Sequence, residues 1–205
     1  METGKYYISA YCSIAANRIT VNGELVFDAA GLPFPDFAKQ AYQHTGMAYP
    51  KFFKMDNLSK LAFLAAGVLL EDKIEQGAEN NVALLFANKS SSLDTDLRYN
   101  EMIADRENYF PSPAVFVYTL PNICLGEISI RYKLFTENTF FIFADFNPEF
   151  FAGYAANLLD TKKADEVLCG WIELCGDQYR AFVYRVSPGG GIEHNVENIK
   201  TLYNK

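Results

Sequence analysis

The chain has 205 residues, of which 50% are hydrophobic and 21% charged, and its formal net charge is −7. Length and composition are typical of one folded domain that buries its own core. The negative charge argues against nucleic acid as the main partner, because phosphate binding requires a basic surface. No apolar run reaches the roughly 20 residues that span a bilayer. The N-terminus also lacks a basic and then apolar leader pattern, so we expect a cytoplasmic protein.

The first half of the chain predicts a strand, a helix and a second strand. Residues 6–15 favour an opening strand, and residues 16–50, with several prolines and glycines, an irregular segment. The run 81–89 is apolar throughout, which indicates a strand buried on both faces. Between them, Asp56 is a candidate N-cap for a helix with apolar residues at helical spacing: Leu58, Leu61, Ala62, Ala65 and Leu69.

The second half continues the alternation of helices and strands. The patterns predict a polar helix over 94–110, a strand or extended run over 114–120, a helix over 122–134, a buried strand over 138–145, and closing strands over 165–174 and 179–187. Strands that are apolar throughout and alternate with helices favour a layered α/β fold with a largely parallel sheet. We expect residues 1–187 to form this domain and residues 188–205 a polar tail, loosely docked or disordered.

A helix starting at Asn147 has unusual composition. Asn147 is a candidate N-cap, Pro148 fits the first helical position, and Glu149 favours the first turn. The helix is then apolar around most of its circumference, with Phe150, Phe151, Tyr154, Ala155, Leu158 and Leu159. A helix that covers one side of a sheet keeps a polar face. We therefore expect this helix, over 147–160, to be covered on both sides.

The cysteines show no metal-binding pattern. Cys12, Cys124, Cys169 and Cys175 lie in apolar segments without paired spacing. We interpret them as buried free thiols, with disulfides or a metal site as the alternatives. We expect neither a metal nor a cofactor, since no phosphate-cradling glycine loop, Ser-His-Asp set or Cys-His pair can be assembled from the sequence.

Four segments, taken in order, carry a resemblance to a known family. They are "YISAYCSIA", "KFFKMDNLSKLAFLAA" with Met55 and Asp56, "SPAVFVYTLPNICLGEISIRYKL" with Asn122 and Gly126, and "ADEVLCGWIEL". Together they resemble the N-terminal half of the β-ketoacyl synthases, in the thiolase superfamily, over roughly residues 6–187. The resemblance implies a layered, thiolase-like α/β half-fold whose mixed sheet is mostly parallel, with helices on both faces.

The resemblance places Asp145 at the position of the family's nucleophilic cysteine, where a strand meets the start of a helix. A helix N-terminus favours a thiolate there. It also stabilises a carboxylate, but a carboxylate is a poor acceptor of acyl groups from thioesters. Asn122, Gly126 and Asp145 are the candidate binding residues. The condensing reaction of the family needs two further groups, usually histidines of the C-terminal half, and His44 and His194 match neither.

The resemblance therefore implies a catalytically degenerate, ketosynthase-like protein. It would be a partner or accessory subunit in fatty-acid or polyketide biosynthesis, for example of the aryl-polyene type. The expected partners are a second copy or a full-length ketosynthase, with an acyl carrier protein as a further candidate. Two alternatives stay open: a stand-alone acyltransferase, hydrolase or 3-oxoacyl-carrier-protein synthase-like enzyme that uses Asp145 as base or nucleophile, and a module that binds an acyl chain.

We also expect the protein not to be a monomer. Without a C-terminal half, helix 147–160 would expose a large apolar patch, which soluble monomers seldom tolerate, and two-fold pairing would cover it. The alternative is that residues 16–50 or the tail fold back over this helix.

Overall fold

The computed structural model describes residues 5–71, 73–75 and 77–205. The strands in this part of the chain are β1 (Tyr7–Ala15), β2 (Arg18–Val21), β3 (Glu24–Asp28), β4 (Val82–Asn88), β5 (Asn138–Ile142), β6 (Glu166–Cys175), β7 (Gln178–Ser187) and β8 (Ile192–Glu193). The helices are α1 (Phe34–His44), α2 (Asn57–Leu70), α3 (Leu93–Ile103), α4 (Pro113–Phe116), α5 (Ile123–Tyr132), α6 (Pro148–Asp160) and α7 (Val196–Tyr203), with 3₁₀ turns at Pro50–Lys54 and Val117–Thr119.

The strands form one mixed sheet in the order β3-β2-β1-β7-β6-β4-β5, and β8 pairs with β1. Helices cover both faces, as expected for an α/β fold. The sheet is less parallel than expected: β4 pairs in parallel with β5 and β6, and the other pairings between the strands named above are antiparallel. Tight hairpins between consecutive strands account for several of the antiparallel pairings. Asn22 and Gly23 both have positive φ, which is typical of a two-residue hairpin turn. The segment 16–50 is therefore mostly regular structure, contrary to the prediction.

Helix α2 fills the core on one face of the sheet. Its N-cap is Asp56, whose Oδ1 accepts a hydrogen bond from the Ser59 amide at 3.0 Å, as predicted. The apolar positions predicted for this helix are all buried, and so are Phe63, Leu64 and Ala66 on its opposite side. Helices α1 and α5 pack beside α2. The helix that is buried all round is thus α2.

Helix α6 packs on the other face of the sheet and is not sandwiched. Phe151, Ala155, Leu158 and Leu159 are buried against the sheet, whereas Glu149, Gly153, Asn157 and Asp160 are exposed. Phe150 and Tyr154 lie to one side, where they contact Phe141, with ring centroids 4.7 and 5.6 Å away. The predicted cap is confirmed, since Asn147 Oδ1 accepts a hydrogen bond from the Phe150 amide at 2.9 Å. The prediction that α6 is covered on both sides was wrong. The rings of Phe150 and Tyr154, which made the helix look apolar all round, cover β5 instead of contacting a second layer.

The C-terminal segment is docked, in contrast to the loose tail that we expected. Ile199 and Leu202 of α7 are buried, and the Tyr203 ring stacks on Phe146 with centroids 4.3 Å apart. Lys200 Nζ lies 2.7 Å from Glu149 Oε1 of α6. The tail thus packs beside α6 and does not cover its outer face. The apolar patch that we expected on this helix is not exposed, because Phe151, Ala155, Leu158 and Leu159 face the sheet.

Two further expectations concern helices. Residues 114–120 form α4 and a 3₁₀ turn rather than a strand, because Ser112 caps this segment and Pro113 occupies its first position. No single described helix is long and apolar enough to cross a bilayer; the pair Pro113–Thr119 and Ile123–Tyr132, bent by 99°, passes that test only when joined.

The burial of His194 in the docked C-terminal segment predicts that the stability of the fold depends on pH. The His194 ring packs near Tyr184, and its Nε2 is buried without a hydrogen-bond partner among the described residues. Burial lowers the pKa of His194 to about 4. The unfolded chain therefore binds an extra proton between about pH 6.5 and pH 4, so stability falls as the pH falls through this window. We expect wild type to lose on the order of 3 kcal/mol more unfolding free energy than His194→Gln between pH 7 and pH 4.

Urea unfolding at each pH measures this difference. Equal pH profiles for the two proteins would contradict it.

Candidate functional site

Asp145 lies in the short connection between β5 and α6, as the sequence predicts for the end of a strand. Its side chain is exposed, and no described residue hydrogen-bonds to its carboxylate. The Asn147 side chain instead accepts a hydrogen bond from the Phe150 amide at the start of α6. Asp145 therefore has neither a base to activate it nor a buried setting that would favour nucleophilic attack.

Asn122 and Gly126 lie at the start of α5. Asn122 is exposed and its side chain does not cap the helix; Gly126 follows one turn later. Helix α5 leads the chain back to the beginning of β5. The start of α5 and the end of β5 therefore lie at the same end of the sheet, the one where β5 terminates. The Gly126 amide donates a hydrogen bond to the Asn122 carbonyl at 3.3 Å, but no hydrogen bond or ion pair among the described residues joins either residue to Asp145. The three candidate residues thus lie at one end of the sheet but do not form a single site.

The histidines lie away from Asp145. His44 Nε2 is 3.1 Å from the Val26 carbonyl oxygen, at the β3 end of the sheet and opposite β5. His194 sits beside β7, in the C-terminal segment. Neither joins a catalytic set with Asp145.

The cysteines are free thiols. Cys12, Cys124 and Cys169 are buried and Cys175 is half-buried. Cys124 donates a hydrogen bond to the Pro121 carbonyl at 3.1 Å, and burial raises the pKa of its thiol. Cys124 is therefore a packed core residue rather than a substitute nucleophile. Within the described residues, no group of three or more His, Cys, Asp or Glu side chains is arranged to hold a metal ion.

A buried polar cluster surrounds Glu127 in the middle of α5, and the sequence pattern did not identify it. Glu127 of α5 is only 3% exposed and accepts hydrogen bonds from the Tyr118 hydroxyl at 3.0 Å and the Tyr49 hydroxyl at 3.4 Å. Lys51 Nζ lies 2.9 Å from the same carboxylate. Close by, Asp56 also accepts a hydrogen bond from Thr95 Oγ1 at 2.8 Å. The one sequence signal was an acid inside the apolar run 122–134.

A cavity of about 320 Å³ adjoins this cluster, between the start of α2, α3 and residues 112–118. Met55, Met102 and Val115 give it apolar walls, and Asp56 lies at its surface. Burial raises the pKa of Asp56, and the hydrogen bonds from Ser59 and Thr95 oppose that rise.

An apolar surface extends from α3 across the turn that follows α4. We call it the docking surface; it consists of Leu93, Leu97, Phe116, Val117 and Leu120, whose exposed fractions run from 42% to 57%. The Ser92 hydroxyl donates a hydrogen bond to the Thr119 carbonyl at 2.7 Å, which joins the two segments. Phe116 also contacts Tyr99 of α3, with ring centroids 5.4 Å apart.

Strand β5 ends near the loop that leads to α3. The Phe143 amide, just after β5, donates to the Asn88 carbonyl at 2.9 Å, close to the loop that begins α3. Within the described residues β5 pairs only with β4, so its outer edge is free. Ile142 at the end of the strand is 49% exposed. A free edge next to exposed apolar side chains is typical of a protein-binding surface.

Comparison of this structure with solved structures identifies the fold. It matches the ishigamide ketosynthase/chain length factor with a TM-score of 0.65 at 15% identity, over 90% of this chain and 62% of that one. The chain has the thiolase-like fold of the β-ketoacyl synthases. This confirms the resemblance seen in the sequence at the level of fold. No family model matches the sequence, and no curated protein matches it.

Other ketosynthase-fold neighbours differ in length. The complex of the ketosynthase ApeO with its chain length factor ApeC, from Xenorhabdus doucetiae, contains a chain that matches with a TM-score of 0.58 at 14% identity, over 98% of this chain and 90% of that one. AntDE:AntF, a type II PKS acyl-carrier protein in complex with its ketosynthase, matches with a TM-score of 0.60 at 13% identity, over 90% and 63%. The chain thus spans about three fifths of the ishigamide and AntDE neighbours, and nearly the full length of its match in the ApeO–ApeC complex.

The exposure of Asp145 predicts the outcome of introducing a thiol at this position. We expect no 3-oxoacyl product from acyl and malonyl thioesters with wild type or with Asp145→Cys, because no histidine lies nearby to decarboxylate the malonyl group. A thiol at this position should be alkylated at the rate of an ordinary surface cysteine, because the site is exposed and Asn147 already caps the helix through the Phe150 amide. Mass spectrometry after iodoacetamide treatment measures this rate.

The matched control is Asn157→Cys, on the exposed face of α6. Alkylation of Asp145→Cys many times faster than this control, or condensation that is lost in Asp145→Ala, would show that the connection between β5 and α6 is an active catalytic site.

Proposed function

We propose that this protein is a non-catalytic partner subunit of a full-length ketosynthase, comparable to a chain length factor. The observation that carries the proposal is the exposed apolar docking surface, together with the free outer edge of β5, on a chain whose Asp145 is exposed and has no hydrogen-bond partner among the described residues. The surface supplies a place for a partner, and the partner supplies the nucleophile that this chain lacks.

The neighbouring structures support this choice of partner. Two of them contain a ketosynthase together with a chain length factor. The ApeO–ApeC complex also contains a chain that matches this one along most of both lengths, which makes a short subunit in such a complex a reasonable model. Replacement of the family nucleophile by Asp145 is part of the proposal.

A ketosynthase is a better partner than a second copy. Two copies would both lack a cysteine at the position of Asp145, so a homodimer would have no condensing activity to assist. Each copy carries a net charge of −7, and like charge opposes association. A homodimer remains an outcome of the experiment below.

The reaction served by the proposed complex belongs to fatty-acid or polyketide chain assembly, including the aryl-polyene type. In this setting an acyl carrier protein delivers the chain, and the cytoplasm is the expected compartment. We assign the carrier protein first to the ketosynthase subunit, because that subunit holds the nucleophile. Contact of the carrier protein with this chain is tested by adding it as a third component.

Co-expression with each full-length ketosynthase of the source organism tests the proposal. We expect one of them to form a stable complex of two different chains, measured by light scattering after size-exclusion chromatography. Phe116→Asp should weaken this complex at least about tenfold, since it places a charge in an apolar interface. The matched control is Leu25→Asp, which is on β3 at the far edge of the sheet and has the same exposed fraction of 57% as Phe116.

A wild-type protein that stays monomeric with every ketosynthase would overturn the proposal. Equal loss of binding in both variants would show that the docking surface is not the interface. Self-association of the wild type without a ketosynthase would favour the homodimer.

A further inference from the structure

The turn at residues 116–120 has one inward-facing side chain between outward-facing ones. Phe116 is 57% exposed, Val117 47% and Leu120 55%, whereas Tyr118 is only 8% exposed. These three exposed residues make up more than half of the docking surface. The orientation of the turn therefore decides whether that surface is presented.

Glu127 holds Tyr118 in the inward position. Its Oε1 accepts the Tyr118 hydroxyl at 3.0 Å, and the tyrosine ring is buried above α5. A 3₁₀ turn of three residues makes few backbone hydrogen bonds of its own. A buried side-chain anchor of this kind therefore contributes much of what fixes its direction.

The carboxylate of Glu127 cannot easily exchange this partner for water. The residue is 3% exposed, and its other contacts are Lys51, at 2.9 Å, and the Tyr49 hydroxyl, at 3.4 Å. A buried charge that loses a hydrogen bond is destabilised, because solvent does not replace the lost donor. The cluster thus favours one position of Tyr118 over the alternatives.

A second contact sets the turn against α3. The Ser92 hydroxyl donates to the Thr119 carbonyl, next to Tyr118. Ser92 immediately precedes α3, which carries Leu93 and Leu97. The Tyr118–Glu127 hydrogen bond and the Ser92–Thr119 hydrogen bond together align the two halves of the docking surface.

We infer that Tyr118 and Glu127 are positioning residues for partner binding, because their hydrogen bond holds the 117–119 turn so that Phe116, Val117 and Leu120 face the ketosynthase. This inference rests on the proposed function and adds residues that do not touch the partner themselves.

The test variant is Tyr118→Phe, which keeps the ring and removes the hydroxyl. The matched control is Tyr49→Phe, which removes a hydroxyl from the same carboxylate but belongs to a segment outside the docking surface. The probe is the ketosynthase that binds wild type in the co-expression experiment. We expect Tyr118→Phe to bind it about tenfold more weakly and to exchange amide hydrogens faster at 116–120. Tyr49→Phe should leave affinity and exchange within about twofold of wild type.

A double-mutant cycle completes the experiment. Tyr118→Phe and Glu127→Met should have non-additive effects on affinity, since the first removes the donor and the second the acceptor of the same hydrogen bond. If Tyr118→Phe does not fold at the assay temperature, Glu127→Met against Tyr49→Phe gives the same comparison. Wild-type affinity and exchange in Tyr118→Phe, or additive effects in the cycle, would overturn this inference and leave the proposed function standing. A wild type that binds no ketosynthase would overturn the proposed function, whatever the exchange data show.

Discussion

The fold depends on strand β4, which is buried at every position and so must be covered on both faces. Val82, Leu84 and Phe86 point into the core that contains α2, while Ala83, Leu85 and Ala87 point into the core under α6. The alanines leave room for α6 to approach the sheet. Gly170 on the neighbouring strand makes room for Phe86, because a Cβ there would lie 2.8 Å from the phenylalanine ring. Two separate cores, one on each face, follow from this single strand.

The parts of the fold that could be predicted have strong local signals. The apolar run of β4, the Asp56 cap and the Asn147–Pro148 start of α6 are all determined by neighbouring residues in the sequence. The environment of α6 could not be predicted in this way, because Phe150 and Tyr154 are as apolar in composition as true core residues. Their role in covering β5 depends on where the edge of the sheet falls. The hairpin at Asn22–Gly23 had a local signal, but the prolines of the surrounding segment obscured it.

In the candidate site, too, some features could be predicted from neighbouring residues in the sequence and others depend on the tertiary structure. The position of Asp145 between a strand and a helix follows from the local pattern, whereas its exposure and lack of partners depend on Asn147 and on the chain folding around it. Glu127 and Tyr118 are nine residues apart, yet their contact requires the segment 114–120 to be helical rather than extended. The docking surface was not predictable either. Leu97 or Phe116 in a sequence looks the same whether it faces the core or a partner.

The polar outer side of α6 limits how this domain can be joined to others in a longer polypeptide. Glu149, Asn157 and Asp160 face water there, and Lys200 of α7 pairs with Glu149. A neighbouring domain stacked on that side would remove water from these polar and charged groups, which is unfavourable unless the domain supplies hydrogen-bond partners for them. Tandem arrangements are therefore restricted to those that keep α6 in solvent, and a linker in any engineered fusion should lead away from this helix.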